Sequence, residues 1–410
     1  MKILNRPFTL AILATTIMLG CTNEDNLPPS NEVNPVVIPS EIADASTDFA
    51  FNFLHNLQET QPKSDNLFVS PLSLHMALGM LLNGADNTTA QEIQKTLEMQ
   101  GVSMADLNKA YKTLIADLPV ADSKVTLGLA NSIWYKTGFT VQPDFQSVLR
   151  DSFDAEITGL PFNDAAAARI NQWASDKTNG KIKKVIDQIQ ADHVMFLLNA
   201  LYFKGDWKAR FDPKETVDAP FTLEDGSVKT VKMMNIKSAF TIAGDATYSA
   251  VKLPYGNGQF SMTILLPKGT TTVDEVLSGL DLEEWKATIS RNNTTNVKVG
   301  LPRFKLDYSV LLSGTLMRMG IQKAFSNSAE FVKISQDSKV KVDFVKQDAY
   351  LGIDEKGTEA AAVTSIGMVT TSVGPEEPKF ICDRPFGIII SENTSNTILF
   401  MGRIKNPDSK

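Results

Sequence analysis

Between Ala360 and Gly374 the chain carries no charge, and this stretch limits more than any other what the chain can fold into. The segment from Glu355 to Phe380 opens with strong helix formers and then drifts into β-branched residues. No proline interrupts it before Pro375, so every amide from Gly357 onward could donate to a β-ladder. Read as a strand, its side chains alternate between two faces. Thr358, Ala360, Ala362, Thr364, Ile366 and Met368 form one set. Glu359, Ala361, Val363, Ser365, Gly367 and Val369 form the other. Neither set is charged after Glu359, and the first grows from small to large and apolar. Yet Pro375 and the charges behind it are loop signals. Two readings compete on composition: a helix or resident buried strand, and a spare strand written for a gap between two existing strands.

The rest of the chain narrows the function. Its 410 residues allow one large domain or two to three small ones. A net charge of −7 without a basic block argues against a nucleic-acid partner. The three histidines, His55, His75 and His193, make no pair at helical spacing, so no metal is expected. There is no GxSxG elbow, no Walker loop and no GxGxxG, and Gly256-Asn257-Gly258 reads as a turn. No catalytic residue and no cofactor is assigned, and the chain is not expected to be an enzyme.

The first residues read as an export signal. Lys2 and Arg6 precede an apolar run from Phe8 to Leu19, too short to span a bilayer. Met18-Leu19-Gly20-Cys21 resembles a bacterial lipoprotein cleavage box, which predicts a signal peptide over 1–20 and lipidation of Cys21. The competing reading is a plain secretory signal with a chance cysteine. Residues 21–40 hold four prolines and no periodic pattern and are expected to be a flexible tether reaching roughly 60 Å. Acidic Glu24 and Asp25 behind the lipid site point to surface display. The expected location is therefore the bacterial envelope, on the outer membrane. With Cys21 lipidated, Cys382 is the remaining thiol, so no intrachain disulfide can form, and it is expected in the core.

From Glu41 to the C-terminus no second linker and no repeat is visible, so 41–410 is expected to be one domain. Helical periodicity is clear in Ala43–Leu57, where Phe49, Phe53, Leu54 and Leu57 share a face, and in Ser70–Asn83, Thr88–Leu97 and Ala165–Thr178. Strand-like runs are Val125–Tyr135, Val194–Phe203, Tyr248–Leu253, Gln259–Leu266, Asn296–Leu301, Lys339–Val345, Gly387–Ser391 and Thr397–Arg403. Helices come early and strands late, an α+β pattern.

Several local signatures then share one resemblance. Glu355-Lys356-Gly357-Thr358-Glu359-Ala360-Ala361-Ala362 resembles the hinge of the reactive-centre loop in inhibitory serpins. Asn66-Leu67-Phe68-Val69-Ser70-Pro71-Leu72-Ser73 is similar to the start of that family's shutter helix. Asn171-Gln172-Trp173, followed by Thr178-Asn179-Gly180-Lys181-Ile182, resembles the helix that crosses the main sheet. Asn199-Ala200-Leu201-Tyr202-Phe203-Lys204-Gly205-Asp206-Trp207 looks like the breach strand and its turn. Asp383-Arg384-Pro385-Phe386 and Phe400-Met401-Gly402-Arg403 resemble the C-terminal signature.

The resemblance covers about Glu41 to Pro407 and implies one domain with three β-sheets, eight to nine helices and an exposed reactive loop at about 355–379. It implies a suicide inhibitor. A serine protease forms an acyl-enzyme on the loop, and the cleaved loop then inserts as a strand and distorts the protease. On this reading Gly357, Thr358, Glu359, Ala360, Ala361 and Ala362 form the hinge. The family's loop length puts the scissile bond at Thr371–Ser372, with Val369–Thr370 and Thr370–Thr371 as alternatives. Trp207, Arg303 and Glu355 map to the breach, where an acid and a base pair as a latch; a plain surface salt bridge is the competing reading. Ser70, Ser73, Asn199 and Gln347 map to the shutter. Gln347 replaces the histidine found in many members, so histidine-driven sheet opening is not expected here.

Val, Thr and Met before the cut suit elastase-like pockets, and no Lys or Arg lies between Lys356 and Lys379, so trypsin-like targets are disfavoured. Papain-like cysteine proteases remain an open class. The implied partners are target proteases in covalent complex and a membrane through the lipid on Cys21, with the protein a monomer. The other function implied by the family is a non-inhibitory binding or carrier protein. Such members carry bulky or charged hinges, which Thr358, Ala360 and Ala362 do not match.

Overall fold

A computed structural model describes residues 33–291, 293–336, 340–358 and 378–408. Among these the helices are α1 Ser40–Thr60, α2 Pro71–Gly84, α3 Asn87–Thr96, α4 Met104–Asp117, α5 Pro143–Phe153, α6 Asp164–Lys177, α7 Val273–Ser278, α8 Leu282–Ser290 and α9 Ser313–Met319. The strands are β1 Leu67–Val69, β2 Val125–Lys136, β3 Glu156–Leu160, β4 Met195–Asp206, β5 Val217–Thr222, β6 Val228–Gly244, β7 Tyr248–Pro254, β8 Phe260–Pro267, β9 Thr294–Pro302, β10 Phe304–Leu311, β11 Lys346–Ile353, β12 Gly357–Thr358, β13 Lys379–Ile381, β14 Phe386–Glu392 and β15 Ile398–Ile404. The class is α+β, as the sequence predicts.

The strands form two hydrogen-bonded networks. One has six strands in the order β10-β11-β12-β4-β2-β3. The other has the path β1-β15-β14-β8-β7-β6-β9-β13, with β5 on β6. Two of the three expected sheets are continuous here because β6 is long. Its first part pairs with β5 and its last residues pair with β7, while β9 runs along its middle.

The six-stranded sheet is covered on both faces. On β2, Ile133 joins the large core and its neighbour Trp134 joins a smaller cluster with Ile170 and Trp173 of α6. On β4, Phe203 and Leu201 face the first, Phe196 and Ala200 the second. This is the two-residue alternation of a strand buried on both sides. Helix α2 lies in the large core and is buried almost all round. Its start is fixed by Ser70, whose Oγ accepts the Ser73 N–H at 3.1 Å, and by Pro71 in the first turn. Asn171 on α6 accepts the N–H groups of Val185 and Ile186 and donates to the Ile186 carbonyl, so it ties the loop after α6 to that helix.

Two sequence expectations change. The folded unit begins at Val33 rather than Glu41. Gln259 grips the backbone of Asn34 from both sides, the Val36 N–H donates to Thr394 Oγ1, and Val36 is fully buried. The end of the expected tether is therefore docked. Second, Lys339–Val345 is not a strand over its described residues, 340–345. Val340 and Val342 are half-buried and Lys341 and Asp343 exposed, so the alternation is real. Pairing between β10 and β11 stops at Leu311↔Lys346, however, and the chain before it bends onto the α9 region through Val342 N–H to Ala324 O and Val345 N–H to Ser313 Oγ. Without a partner on either side, an extended chain is no ladder.

Candidate functional site at a vacant strand position

Gly357 and Thr358 sit between the two central strands of the six-stranded sheet. Gly357 pairs with Asp206 and Thr358 with Gly205 on β4, while Thr358 also faces Ile353 on β11. The Asp354 N–H bonds the Gly357 carbonyl, and Asp354 Oδ1 accepts the N–H groups of Lys356 and Gly357. This turn brings the chain back down beside β11. Glycine at 357 is a steric requirement, because a Cβ there would run into the carbonyl of Gly205. Thr358 is buried, and its hydroxyl bonds the Tyr255 hydroxyl at 2.7 Å. Burial pushes the Tyr255 phenol well above its ordinary range, and the Thr358 bond pulls the other way, so Tyr255 stays neutral.

Trp207, Arg303 and Glu355, which the resemblance maps to the breach, meet at this turn. The Trp207 indole N–H donates to the Asp354 carbonyl at 3.0 Å, and the Trp207 backbone N–H to that of Lys356 at 2.7 Å. The Trp207 ring stacks on Tyr255 with centroids 4.5 Å apart. Glu355 is buried; its Oε1 accepts from Thr216 Oγ1 at 2.8 Å and from half-exposed Arg303 at 3.3 Å. The Glu355 carbonyl receives the Phe211 N–H. A buried carboxylate needs such partners, and Glu355 is the buried end of this pair.

Among the described residues, no strand lies between β4 and β11 beyond Thr358. Among the described residues β4 and β11 have no direct pairing, since β12 alone separates them and it is two residues long. A cavity of about 410 Å³ lies there, between β4 and the chain leading into β11. It reaches through the sheet, from Leu74, Leu78 and Ser70 on the α2 side to Trp173, Ile182 and Val185 on the α6 side. Two residues of its lining, Asn199 and Trp173, each hold a buried polar atom (Oδ1 and Nε1) without a hydrogen-bond partner among the described residues. Orphaned polar atoms of this kind are rare in folded proteins.

Ser70, Ser73, Asn199 and Gln347, which the resemblance maps to the shutter, line the cavity. Gln347 accepts the Ser70 N–H and donates to the Ser70 carbonyl, both at 2.9 Å. Ser73 joins through the Ser70 cap. Asn199 is not bonded to Gln347. It donates to Asn131 Oδ1 on β2 at 2.7 Å, and Asn131 in turn donates to the Phe153 carbonyl. Cys382 is fully buried and free, and burial pushes its thiol far up, which keeps it unreactive. Cys21, Glu359, Ala360, Ala361, Ala362, Val369, Thr370, Thr371 and Ser372 lie outside the described residues. Tyr255 and Thr216 were not singled out from the sequence; each becomes a partner only when the turn at 354–357 folds back onto β4.

The family model described as Serpin (serine protease inhibitor) matches residues 44–407. The human leukocyte elastase inhibitor is 33% identical over 90% of this chain and 100% of its own length, and that of Xenopus laevis is 34% identical over 89% and 99%. Among solved structures, the thermophilic serpin tengpin in its native state aligns with a TM-score of 0.83 at 29% identity, covering 91% of this chain and 96% of that one. Thyroxine-binding globulin in complex with thyroxine aligns at 0.81 and 27% identity, covering 90% and 100%. The hinge glycine between two strands, the slot beneath it and these matches together make the chain a member of the serpin (serine protease inhibitor) family.

Proposed function

We propose that this protein is a suicide-substrate inhibitor of elastase-like serine proteases. The observation that carries the reading is the cavity of about 410 Å³ between β4 and the chain entering β11, farther along the strand position that Gly357-Thr358 opens. In the proposed reaction the protease serine oxygen attacks the carbonyl of Thr371. An ester forms to Thr371, the Thr371–Ser372 peptide bond breaks, and the new amine of Ser372 leaves with a proton. Hydrolysis of that ester then competes with zipping of the loop into the slot. Insertion carries the bound enzyme away from its productive geometry and leaves the ester intact. Uncharged residues across 360–374 suit a position buried on both faces. Relatives named leukocyte elastase inhibitor, and the absence of Lys and Arg between 356 and 379, support the elastase class.

The test is incubation with pancreatic and neutrophil elastase, chymotrypsin, trypsin, subtilisin and papain, followed by denaturing gels and the mass of the released C-terminal peptide. A complex that survives denaturation with an elastase, and a peptide beginning at Ser372, is the expected result. A start at Thr370 or Thr371 would move the bond and keep the trap. Cleavage by every enzyme without a stable complex would sink the inhibitor reading. It would favour a carrier function, a second reading supported by the likeness to a thyroxine-binding structure. The box ending at Cys21 and the proline-rich segment after it support a monomeric inhibitor held by lipid on a bacterial envelope. The mass of the mature N-terminal peptide checks this, and an unmodified Cys21 would overturn it.

A further inference from the structure

At the lower end of the slot the side chains of His193 and Asp343 bridge the two walls. His193 lies just before β4 and is buried. Its Nδ1 accepts the Gln190 N–H at 3.0 Å, which places the ring hydrogen on Nε2. That Nε2–H donates to Asp343 Oδ2 at 3.1 Å. Asp343 lies on the opposite wall, in the chain that leads into β11, and both residues line the cavity. The ring is also wedged edge-on against Phe196 of β4, with centroids 5.2 Å apart, and tilted against Phe344, neighbour of Asp343, at 6.1 Å. Phe196 and Phe344 are themselves 6.3 Å apart. The Asp343 segment is anchored on its far side by Val342 and Val345, so Asp343 is the residue that reaches back across the mouth.

We infer that the His193–Asp343 bridge is a clasp that sets how readily the main sheet accepts a full-length strand. The inference rests on the slot being a strand acceptor. Thr358 pairs with Gly205 and β4 begins at Met195, so an antiparallel strand continuing that register reaches the foot of β4 after about ten more residues. Strands on either side of an inserted one stand roughly 9.6 Å apart, twice the interstrand spacing. His193 and Asp343 both line the cavity and their side chains meet across it at 3.1 Å, so a strand that fills the cavity to the foot of β4 takes the space this contact occupies. The upper slot can fill with the clasp closed, and the last turns of insertion need it open. His193 and Asp343 are thus positioning residues whose strength governs the final part of insertion.

The test follows uptake of a fluorescein-labelled synthetic peptide with the sequence of residues 359–370 into the purified protein, on native gels. The proteins compared are wild type, His193→Ala, Asp343→Ala, the double variant and His193→Gln, each first shown to unfold cooperatively. Loss of either side chain should speed uptake on the order of three- to ten-fold, the range one partly buried charge-assisted hydrogen bond covers. The double variant should be no faster than either single one. His193→Gln, which keeps a side-chain N–H of similar reach, should stay near wild type. Wild-type rates in both single variants, or independent effects that multiply in the double variant, would overturn the clasp. If wild type and variants alike take up no peptide, the strand-acceptor reading itself fails and the clasp falls with it.

Discussion

At the scale of single residues, two buried groups give sharp expectations. The Tyr255 hydroxyl holds Thr358 Oγ1 at 2.7 Å inside the sheet. Tyr255→Phe keeps the ring that stacks on Trp207 and leaves the threonine hydroxyl without this partner, at a cost of about 1–2 kcal/mol. The hinge should leave the sheet more often, and amides at 354–358 should exchange with deuterium roughly ten-fold faster; unchanged exchange would mean that Tyr255 does not hold the hinge. His75 is the second group. Burial lowers its pKa to about 4, against a weaker upward pull from its bond to the Leu97 carbonyl. Its Nδ1 meets the Tyr111 hydroxyl at 2.8 Å. A histidine with a depressed folded pKa favours the folded state while neutral. Its contribution is complete above about pH 6.5 and is lost as pH falls from there to about 4, amounting to about 3 kcal/mol. Unfolding free energies from denaturant titrations at pH 7.5 and 4.5 should differ by about that much more in wild type than in His75→Gln. Equal differences would remove His75 as the cause. The acid sensitivity expected of His75 belongs to the packing of α2 against α4.

At the scale of elements, the sequence was legible where periodicity and burial agree. Four helices and seven strands lie within a few residues of where their patterns predict them. α7 and α9 are short, at six and seven residues, whereas α4 and α5 carry apolar stripes (Leu107, Ala110, Tyr111 and Leu114; Phe145, Leu149 and Phe153) that periodicity could have found. The Lys339–Val345 run alternates correctly and still fails as a strand, because pairing depends on a neighbour that no local pattern encodes. The opposite case is β12. Nothing local in Gly357-Thr358 distinguishes two docked residues from a free hinge; β4, β11 and Tyr255 make the difference. The contact between β11 and α2 is likewise nonlocal, since Gln347 clamps both backbone groups of Ser70 at 2.9 Å. Gln347→Ala would leave a buried N–H and a buried carbonyl at the helix start without these partners. A loss of about 2–3 kcal/mol is expected from chemical denaturation. Gln347→Glu should not restore it, because a carboxylate accepts the N–H but repels the carbonyl. A loss below about 0.5 kcal/mol in the alanine variant would show that water replaces the clamp.

At the scale of the whole molecule, the described residues leave one strand position open between β4 and β11, beyond β12. A cavity of about 410 Å³, two orphaned polar atoms and two strands without their shared neighbour are all remedied by the same event. The uncharged run at 360–374 that no surface loop needs is the material that would remedy them. The state with the slot empty is therefore expected to be held kinetically and not to be the lowest in free energy. About ten residues entering between β4 and β11 would gain hydrogen bonds on both edges and bury apolar side chains. At roughly 1 kcal/mol net per residue this is on the order of 10 kcal/mol. Cutting the loop anywhere in 369–372 frees it to insert without a protease attached. By the entropy of unfolding of a domain this size, the melting temperature should then rise by roughly 10 °C or more. Scanning calorimetry of intact and loop-cut protein measures it directly. An upward shift on that scale means the empty slot is a stored strand position. Identical transitions would mean that the loop does not insert, that the slot has another occupant or none, and that the carrier reading replaces the inhibitor.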